Sequence, residues 1–189
     1  MGALFGLLLV APVLVVATIL VKLTSRGPVL FRHTRVGRGG KTFSCLKFRT
    51  MVEDAEAILR RNPALQEKFR QHFKLVDDPR LTPVGKFLRK TSIDELPQLF
   101  NVLRGEMSLV GPRPIVREEV YKYDGYHEKL FSVKPGLTGL WQATARHRTV
   151  TYQDRVMLDM EYIDKRSLRL DLKLILLTIP AVISGSGAH

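Results

Sequence analysis

The hydrophobic pattern separates an uncharged N-terminal run from a longer and more mixed remainder. Residues 3–21 contain no charged side chain, and a run of this length is close to what a helix needs to cross the hydrocarbon core of a membrane. Basic residues follow the run and none precedes it, which predicts a cytoplasmic location for its C-terminal side. Pro12 stands in the middle, where it removes a helical hydrogen bond. A single span and a re-entrant hairpin with its break at Pro12 are therefore both open.

After this run the pattern changes to short elements. Extended segments bounded by glycines predict a β-hairpin between residues 26 and 51. Apolar residues at helical spacing predict helices in 53–74, with an interruption at Pro63, in 96–103 and in 152–163.

The remaining segments are less regular. Residues 118–130 predict a polar surface helix broken at Gly125, and residues 133–142 a loop punctuated by Pro and Gly. Residues 168–183 are rich in Leu and Ile but carry three charged side chains, which favours a helix lying in the membrane interface. The whole pattern predicts an α/β fold, mostly α with a small β element, in a single membrane-associated domain.

Residues 91–114 contain the strongest candidate for a chemical site. Apolar residues at i, i+3, i+4 and i+7 predict a short helix with Pro97 in its first turn and Gly105 just past its end. Asp94 and Glu95 would then lie at the helix N-terminus, where the dipole favours negative charge. These carboxylates should stay ionised, so Asp94 could act as a nucleophile and both could recruit a cation.

Two interpretations of this stretch are open. Ser92 and Glu95 have the spacing of a capping box, which requires no chemistry. Capping gives no role to Asp94, however, and it does not explain why Arg113 stands between two prolines that restrict its backbone. A guanidinium presented in this way suits bidentate contact with a phosphate.

The charge balance points to anionic partners. The 189 residues include 30 Lys and Arg against 18 Asp and Glu, which gives a formal net charge of +12. Such a charge favours nucleic acid, an anionic membrane surface or phosphorylated small molecules. We assign the basic residues along 53–74 to anionic membrane lipids. Aromatic residues are not interleaved through a basic groove, so no nucleic-acid partner is predicted.

Three smaller features limit the chemistry. Gly40-Lys41-Thr42 is not part of a P-loop, because Arg35 occupies the place of the required first glycine. Lys47 and Arg49 could form a solvated basic face or bind phosphate. Cys45 is the single cysteine, which excludes an intramolecular disulfide, and we expect it to be a buried small residue.

Several segments together resemble a known family. In chain order they are LFRHTRVG, LKFRTM, RKTSIDELPQLFNVLRGEMSLVGPRP, VKPGLTGLWQ, LDMEYID and SLRLDLKLILLT. They are similar to the monotopic phosphoglycosyl transferases, the bacterial sugar transferase family, over nearly the whole chain. The resemblance implies a small α/β catalytic domain in residues 25–189 on the cytoplasmic face of the bacterial inner membrane. A re-entrant helix in residues 1–24 and amphipathic interface helices would anchor it.

The resemblance also implies roles for individual residues. The family's Asp-Glu pair falls on Asp94 and Glu95, which it assigns to catalysis and to magnesium binding. From spacing alone, Asp159 could instead form a surface ion pair with Arg155, one helical turn away. The residues that match charged positions of the family motifs, and are assigned to substrate phosphate groups, are Lys47, Arg49, Arg89, Arg113 and Asp159.

The chain departs from the family pattern at two places. Ala11 stands where a serine usually precedes the proline of the membrane break, so a hydroxyl that could satisfy a freed carbonyl is missing. Thr144-Ala145-Arg146 replaces the usual Ser-Gly-Arg, which leaves the identity of the sugar open.

The resulting hypothesis is a two-step transfer with Mg²⁺ as cofactor. A nucleotide diphosphate sugar, expected to be a UDP-sugar, gives its sugar 1-phosphate to Asp94, and polyprenol phosphate (undecaprenyl phosphate) then takes it. This reaction would start assembly of O-antigen, capsule or exopolysaccharide. The alternatives are direct transfer in a ternary complex with Asp94 as base, and a membrane-tethered polyanion-binding protein without activity. The sugar, the nucleotide and the oligomeric state, a homodimer included, are left open.

Overall fold

The computed structural model describes residues 2–72, 75, 78–145 and 151–183. Its architecture confirms the prediction of a mostly helical α/β protein with small sheets. The helices are α1 (Gly2–Thr24), α2 (Ala55–Arg61), α3 (Pro63–His72), α4 (Pro83–Lys90), α5 (Gln98–Leu103), α6 (His127–Phe131), α7 (Leu140–Thr144), α8 (Tyr152–Lys165) and α9 (Leu168–Ile183). The strands are β1 (Leu30–Val36), β2 (Thr42–Phe48), β3 (Ser108–Val110) and β4 (Gly136–Thr138), and 3₁₀ turns lie at Arg38–Gly40, Ile93–Glu95 and Arg117–Tyr123.

The apolar N-terminal run forms α1. This helix is long and apolar enough to cross a membrane, with a mean hydropathy of 2.9 in its most apolar window, so it is a candidate membrane segment. Its helical backbone continues across Pro12, and the run is therefore not divided into two separate helices. Ala17 and Val21 pack against α4 and β2 through Leu88 and Phe48.

The predicted hairpin is confirmed. β1 and β2 pair antiparallel, and Val36 lies opposite Thr42 at the closed end. Gly39 and Gly40 in the connection have φ angles of 69° and 71°, a region that glycine enters without steric cost. Cys45 on β2 is free and buried, as expected.

The helical region after the hairpin also follows the prediction. α2 ends at Arg61 and α3 begins at Pro63, because proline cannot continue a helix but suits its first turn. α4 starts in the same way, with the Thr82 hydroxyl accepting a hydrogen bond from the Gly85 amide at 2.9 Å. A Cβ at Gly85 would overlap the carbonyl oxygen of Thr50, so glycine lets α4 pack directly on the segment after β2.

The prediction of a loop over residues 133–142 is wrong. β4 pairs in parallel with β3, with Ser108 opposite Gly136, and α7 follows at once. A Cβ at Gly136 would overlap the backbone of Gly111, which explains the need for glycine at this crossing. Thr144 ends α7, and Arg146 lies outside the described residues.

The polar stretch 118–130 is only partly a surface element. A 3₁₀ turn and α6 form it, and Gly125, with a φ of 74°, separates them as predicted. The Tyr123 side chain is nevertheless fully buried in a hydrophobic cluster with Ile115, Val156 and Met160. This cluster joins the turn after β3 to α8.

Candidate active site

Asp94 and Glu95 lie in the 3₁₀ turn between α4 and α5. They were predicted at the N-terminus of the helix that follows, and they lie just before α5, in a separate short turn. Ser92 before them has a φ of 56° and makes no capping hydrogen bond in this turn. The capping box that the spacing predicted is therefore not formed. A left-handed residue followed by a tight turn, and not a cap, fixes the path of the chain that carries the two carboxylates.

Asp94 is a buried carboxylate among cations. Its side chain is 7% exposed. Burial, and next the negative charge of Glu95, raise its pKa from 3.8 to about 6, while the charges of Lys47, Arg89 and Arg113 oppose this rise. Asp94 is therefore still ionised at pH 7, as expected, but it is more basic than an ordinary aspartate.

Glu95 holds two cations next to Asp94. Lys47 Nζ donates a hydrogen bond to Glu95 Oε1 at 2.6 Å, and an Arg113 terminal nitrogen donates to the same oxygen at 3.3 Å. Lys47 comes from β2 and Arg113 from the turn after β3. One carboxylate thus brings together cations from two distant parts of the chain.

Asn101 fixes the position of Lys47, and sequence reasoning missed it. The Asn101 side chain is fully buried in α5. Its oxygen accepts from the Leu46 amide at 3.0 Å, and its nitrogen donates to the Ser44 carbonyl at 2.7 Å. These bonds clamp α5 to β2 and hold Lys47 opposite Glu95. The available signal was an amide side chain directly between the apolar residues Phe100 and Val102.

Arg49 and Arg89 were also predicted to bind phosphate, and of these two the structure brings Arg89 to the carboxylates. Arg89 Nε donates to the Thr50 hydroxyl at 3.0 Å, and its charge acts on Asp94. Arg49 lies beyond the end of β2 and donates to the Arg26 carbonyl at 3.2 Å. Arg49 is thus directed to the segment after α1, and its contact with a phosphate stays a prediction.

A small cavity adjoins this group of charges. It encloses about 230 Å³ of space, which includes a part that is open to solvent. Asp94 lies beside the cavity and is not part of its wall. The polar side chains on the wall are those of Arg35, Cys45, Lys47, Glu95, Gln98, Arg113 and Gln142.

Aromatic and cationic side chains alternate behind Arg113. The Cζ atom of Arg113 lies 6.0 Å from the centre of the Trp141 ring, and Arg155 Cζ lies 4.4 Å from the same ring. Arg155 is also 4.9 Å from the Tyr152 ring, and Lys122 Nζ is 4.4 Å from that ring. Each such contact is worth about 0.5–2 kcal/mol, so the stack supports the position of Arg113.

The position of Asp159 on α8 differs from the prediction. The periodicity placed it on a more polar side, but its side chain is fully buried. The Tyr123 hydroxyl donates to Asp159 Oδ2 at 2.7 Å, and burial raises the Asp159 pKa to about 7. No ion pair joins Asp159 to Arg155 within the described part of the chain. Contact between Asp159 and a substrate phosphate stays a prediction.

The residues present fit a magnesium ion that is shared with a substrate. The described residues include no group of three or more His, Cys, Asp or Glu side chains that could hold a metal alone. Asp94 and Glu95 can supply two carboxylates. Mg²⁺ is usually bound by one or two carboxylates together with substrate phosphates and water, so a diphosphate would complete the coordination.

The fold and the site define a class of protein: an α/β domain with a candidate membrane helix and a carboxylate pair set among cations, as phosphoryl transfer requires. Residues 1–185 match the family model for bacterial sugar transferases. The chain belongs to that family, as its motifs predicted, and it is a sugar-phosphate transferase.

Individual relatives are similar over most of this chain. An exopolysaccharide production protein, ExoY, from Sinorhizobium fredii is 46% identical over 191 residues, which cover 99% of this chain and 84% of the relative. An undecaprenyl-phosphate galactose phosphotransferase from Salmonella typhimurium is 46% identical over 167 residues, 86% of this chain and 35% of the relative. A UDP-glucose:undecaprenyl-phosphate glucose-1-phosphate transferase from Caulobacter vibrioides is 41% identical over 194 residues, 96% of this chain and 66% of the relative. The chain thus corresponds to only part of the longer relatives.

Proposed function

We propose that the enzyme transfers a sugar 1-phosphate from a UDP-sugar to undecaprenyl phosphate, releases uridine monophosphate and so starts assembly of an exopolysaccharide or related glycan. The names of the Salmonella and Caulobacter relatives support the acceptor, and the name of the ExoY relative supports the pathway. One observation carries the proposal: the carboxylate of Asp94 is buried and unusually basic, and the positive charges of Lys47, Arg89 and Arg113 act on it.

In the first step, the ionised carboxylate of Asp94 attacks the sugar-bearing phosphorus. A bond forms between a carboxylate oxygen and phosphorus, and the bond to the bridging oxygen breaks. That oxygen keeps the electron pair and leaves with the nucleoside monophosphate. Because carboxylate and diphosphate repel each other, the cations around Asp94 must offset their charges as the bond forms.

In the second step, a phosphate oxygen of the polyprenol phosphate attacks the same phosphorus. The bond to Asp94 breaks, the carboxylate is restored, and the product is a polyprenyl diphosphate sugar. Magnesium, when held by Asp94 and Glu95, would supply further neutralisation of the diphosphate charge. Lys47 and Arg113 would contact phosphate oxygens directly, since Glu95 already holds them next to Asp94.

The covalent step can be tested with radiolabelled UDP-glucose or UDP-galactose in the absence of lipid acceptor. The parent protein should release uridine monophosphate in a burst no larger than the enzyme concentration and should retain labelled sugar phosphate. Asp94→Asn should give neither signal, whereas Asp124→Asn, at an exposed position, should match the parent. An active parent without burst or label would favour direct transfer. A parent that makes no lipid-linked sugar from any UDP-sugar would contradict the proposed function.

The proposal includes a re-entrant course for α1 at the cytoplasmic face. Both ends of α1 contact the catalytic domain: Val21 packs near the C-terminal end, and a Cβ at Gly2 would lie 3.3 Å from the side chain of Leu109. Near Gly6, the side chain of Leu99 is also within 3.9 Å of such a Cβ. A straight span would carry the N-terminal end across the membrane and away from this domain.

Cysteine labelling in intact cells tests this topology. A cysteine added at the N-terminus should resist a membrane-impermeant reagent applied from outside and react after the cells are opened. Pro12→Leu should favour a true span, because it removes the proline that costs a backbone hydrogen bond in the middle of a helix of spanning length, and should make the same cysteine accessible from outside. Labelling of the parent in intact cells would contradict the re-entrant course.

The proposal also places α9 in the membrane interface. Leu168, Leu172 and Leu176 are 77%, 54% and 67% exposed, while Leu174 is buried against the domain. An apolar face that nothing covers within the described residues suits the headgroup boundary.

A further inference from the structure

Arg35 is a cation on the cavity wall that has no role in the two transfer steps. Arg35 comes from β1 and lies on the same wall as Lys47 and Arg113. One of its terminal nitrogens donates to the Pro114 carbonyl at 3.1 Å, and the other lies 3.1 Å from His33 Nδ1. A guanidinium can only donate, so His33 is the acceptor and is neutral. Arg35 is therefore held in one orientation against the turn that carries Arg113.

Nearby carboxylates offset the positive charge of Arg35 only weakly. Its carboxylate partner, Glu119, lies 3.8 Å away, beyond ordinary hydrogen-bond length. Arg35 Nε is buried and has no hydrogen-bond partner among the described residues. Glu95 is the carboxylate on the cavity wall, and it is already bonded to Lys47 and Arg113. The wall therefore keeps an excess of positive charge near Arg35, which an anionic ligand would relieve.

Arg35 belongs to a different zone of the site from Asp94. Arg35 lines the cavity, whereas Asp94 lies beside it and is not among the residues of its wall. A phosphate bound at Arg35 is therefore not the phosphate that Asp94 attacks. In the donor, the other phosphate is the one that leaves with the nucleoside.

The geometry of the displacement extends this argument to the acceptor. Attacking and leaving oxygens lie roughly in line on opposite sides of phosphorus. If Asp94 attacks from one side, the nucleoside monophosphate departs from the other. The acceptor must then displace Asp94 from the side that the nucleotide has vacated. One anion site should therefore hold the leaving phosphate in the first step and the entering phosphate in the second.

We infer that Arg35 is a further substrate-binding residue, which contacts first the nucleoside-side phosphate of the donor and then the phosphate of the polyprenol acceptor. This inference rests on the proposed two-step function. It predicts that uridine monophosphate competes with polyprenol phosphate for the same site, although the two molecules share no other group.

Direct binding of uridine monophosphate to the purified, full-length chain in detergent tests the inference by calorimetry at constant magnesium. Arg35→Gln should weaken binding about tenfold or more, as expected for the loss of one charge-assisted hydrogen bond. Arg35→Lys should fall between the parent and Arg35→Gln, because it keeps the charge without the planar fork. Glu119→Gln should act in the opposite direction and tighten binding. In turnover assays, Arg35→Gln should raise the KM for the donor and for the acceptor together.

The matched control is Arg32→Gln, an exposed arginine on the same strand, which should bind like the parent. Equal binding by Arg35→Gln and the parent would overturn the inference and leave the proposed function intact, provided that the parent turns over. Equal losses in Arg35→Gln and Arg35→Lys, with Glu119→Gln unchanged, would show that Arg35 only supports the turn and would also overturn it. A parent that neither binds uridine monophosphate nor turns over a UDP-sugar would overturn both proposals.

Discussion

Replacing Asp94 by Asn should make the folded protein more stable while it abolishes transfer. Burial and the charge of Glu95 raise the Asp94 pKa from 3.8 to about 6, so the folded protein disfavours the ionised form relative to the unfolded chain. A difference of one unit between the folded and unfolded pKa corresponds to about 1.4 kcal/mol. Ionised Asp94 therefore destabilises the fold by about 3 kcal/mol at pH 7. An uncharged amide of similar size avoids this penalty, and about 3 kcal/mol is the upper limit of the gain.

The sign of the pH dependence makes the prediction specific. For an acid with a raised pKa, the penalty is absent below pH 3.8, grows between pH 3.8 and about 6, and is constant above. The free energy of unfolding of Asp94→Asn minus that of the parent should therefore rise over this interval and then level. Denaturant unfolding of both proteins in EDTA, at about pH 4, 5, 6 and 8, measures the difference without bound metal.

Two results would refute this reasoning. A difference that does not change with pH would show that burial does not raise the pKa of Asp94. A variant less stable than the parent at every pH would show that Lys47, Arg89 and Arg113 stabilise the carboxylate more than burial disfavours it. Asp124→Asn is the control for the loss of one charge at an exposed position, and its difference should stay flat.

Three further changes test single contacts. Arg113→Lys should lower turnover at saturating substrate about tenfold or more, because a point charge cannot reproduce the planar contact of a guanidinium with phosphate. Tyr123→Phe should lower the free energy of unfolding by about 1–3 kcal/mol, because the buried Asp159 carboxylate loses its 2.7 Å hydrogen bond. Gly85→Ala should lower the melting temperature or prevent folding, with a loss of about 3 kcal/mol or more, because its Cβ would overlap the Thr50 carbonyl.

Each of these changes has a matched control. Arg104→Lys at an exposed site should keep full turnover, and equal rates for the two lysine variants would remove Arg113 from the site. Tyr121→Phe, at a position 68% exposed, should leave stability unchanged. Gly6→Ala, whose Cβ has its nearest neighbour at 3.9 Å, should not lower stability, because alanine is also the better helix former. A Tyr123→Phe or Gly85→Ala variant as stable as its control would contradict the buried contact on which its prediction rests.

Where predictions from sequence failed, the missing information was a distant partner. Residues 133–142 were expected to form a loop, because three residues of β4 carry no strand pattern of their own and form a strand only by pairing with β3. Asp159 has the spacing of a surface residue on α8, yet the 3₁₀ turn that contains Tyr123 packs over it. Ser92 and Glu95 have the spacing of a cap, but Ser92 has a left-handed φ in place of the extended backbone of a capping residue, and its side chain makes no capping hydrogen bond.

The sequence by itself determined the features that depend on neighbouring residues: the apolar helix α1, the glycine-bounded hairpin, the helix break at Pro63 and the carboxylate pair followed by Arg113. Apolar length, glycine and proline act through local backbone preferences, so they can be recognised without a fold. Only the tertiary structure decided that Asp94 is buried, that Lys47 and Arg113 meet on Glu95, and that Arg35 lies on the same wall. Burial and the distance between charges depend on how remote segments pack, and these two quantities set the pKa of the carboxylate and the place where an anion can bind.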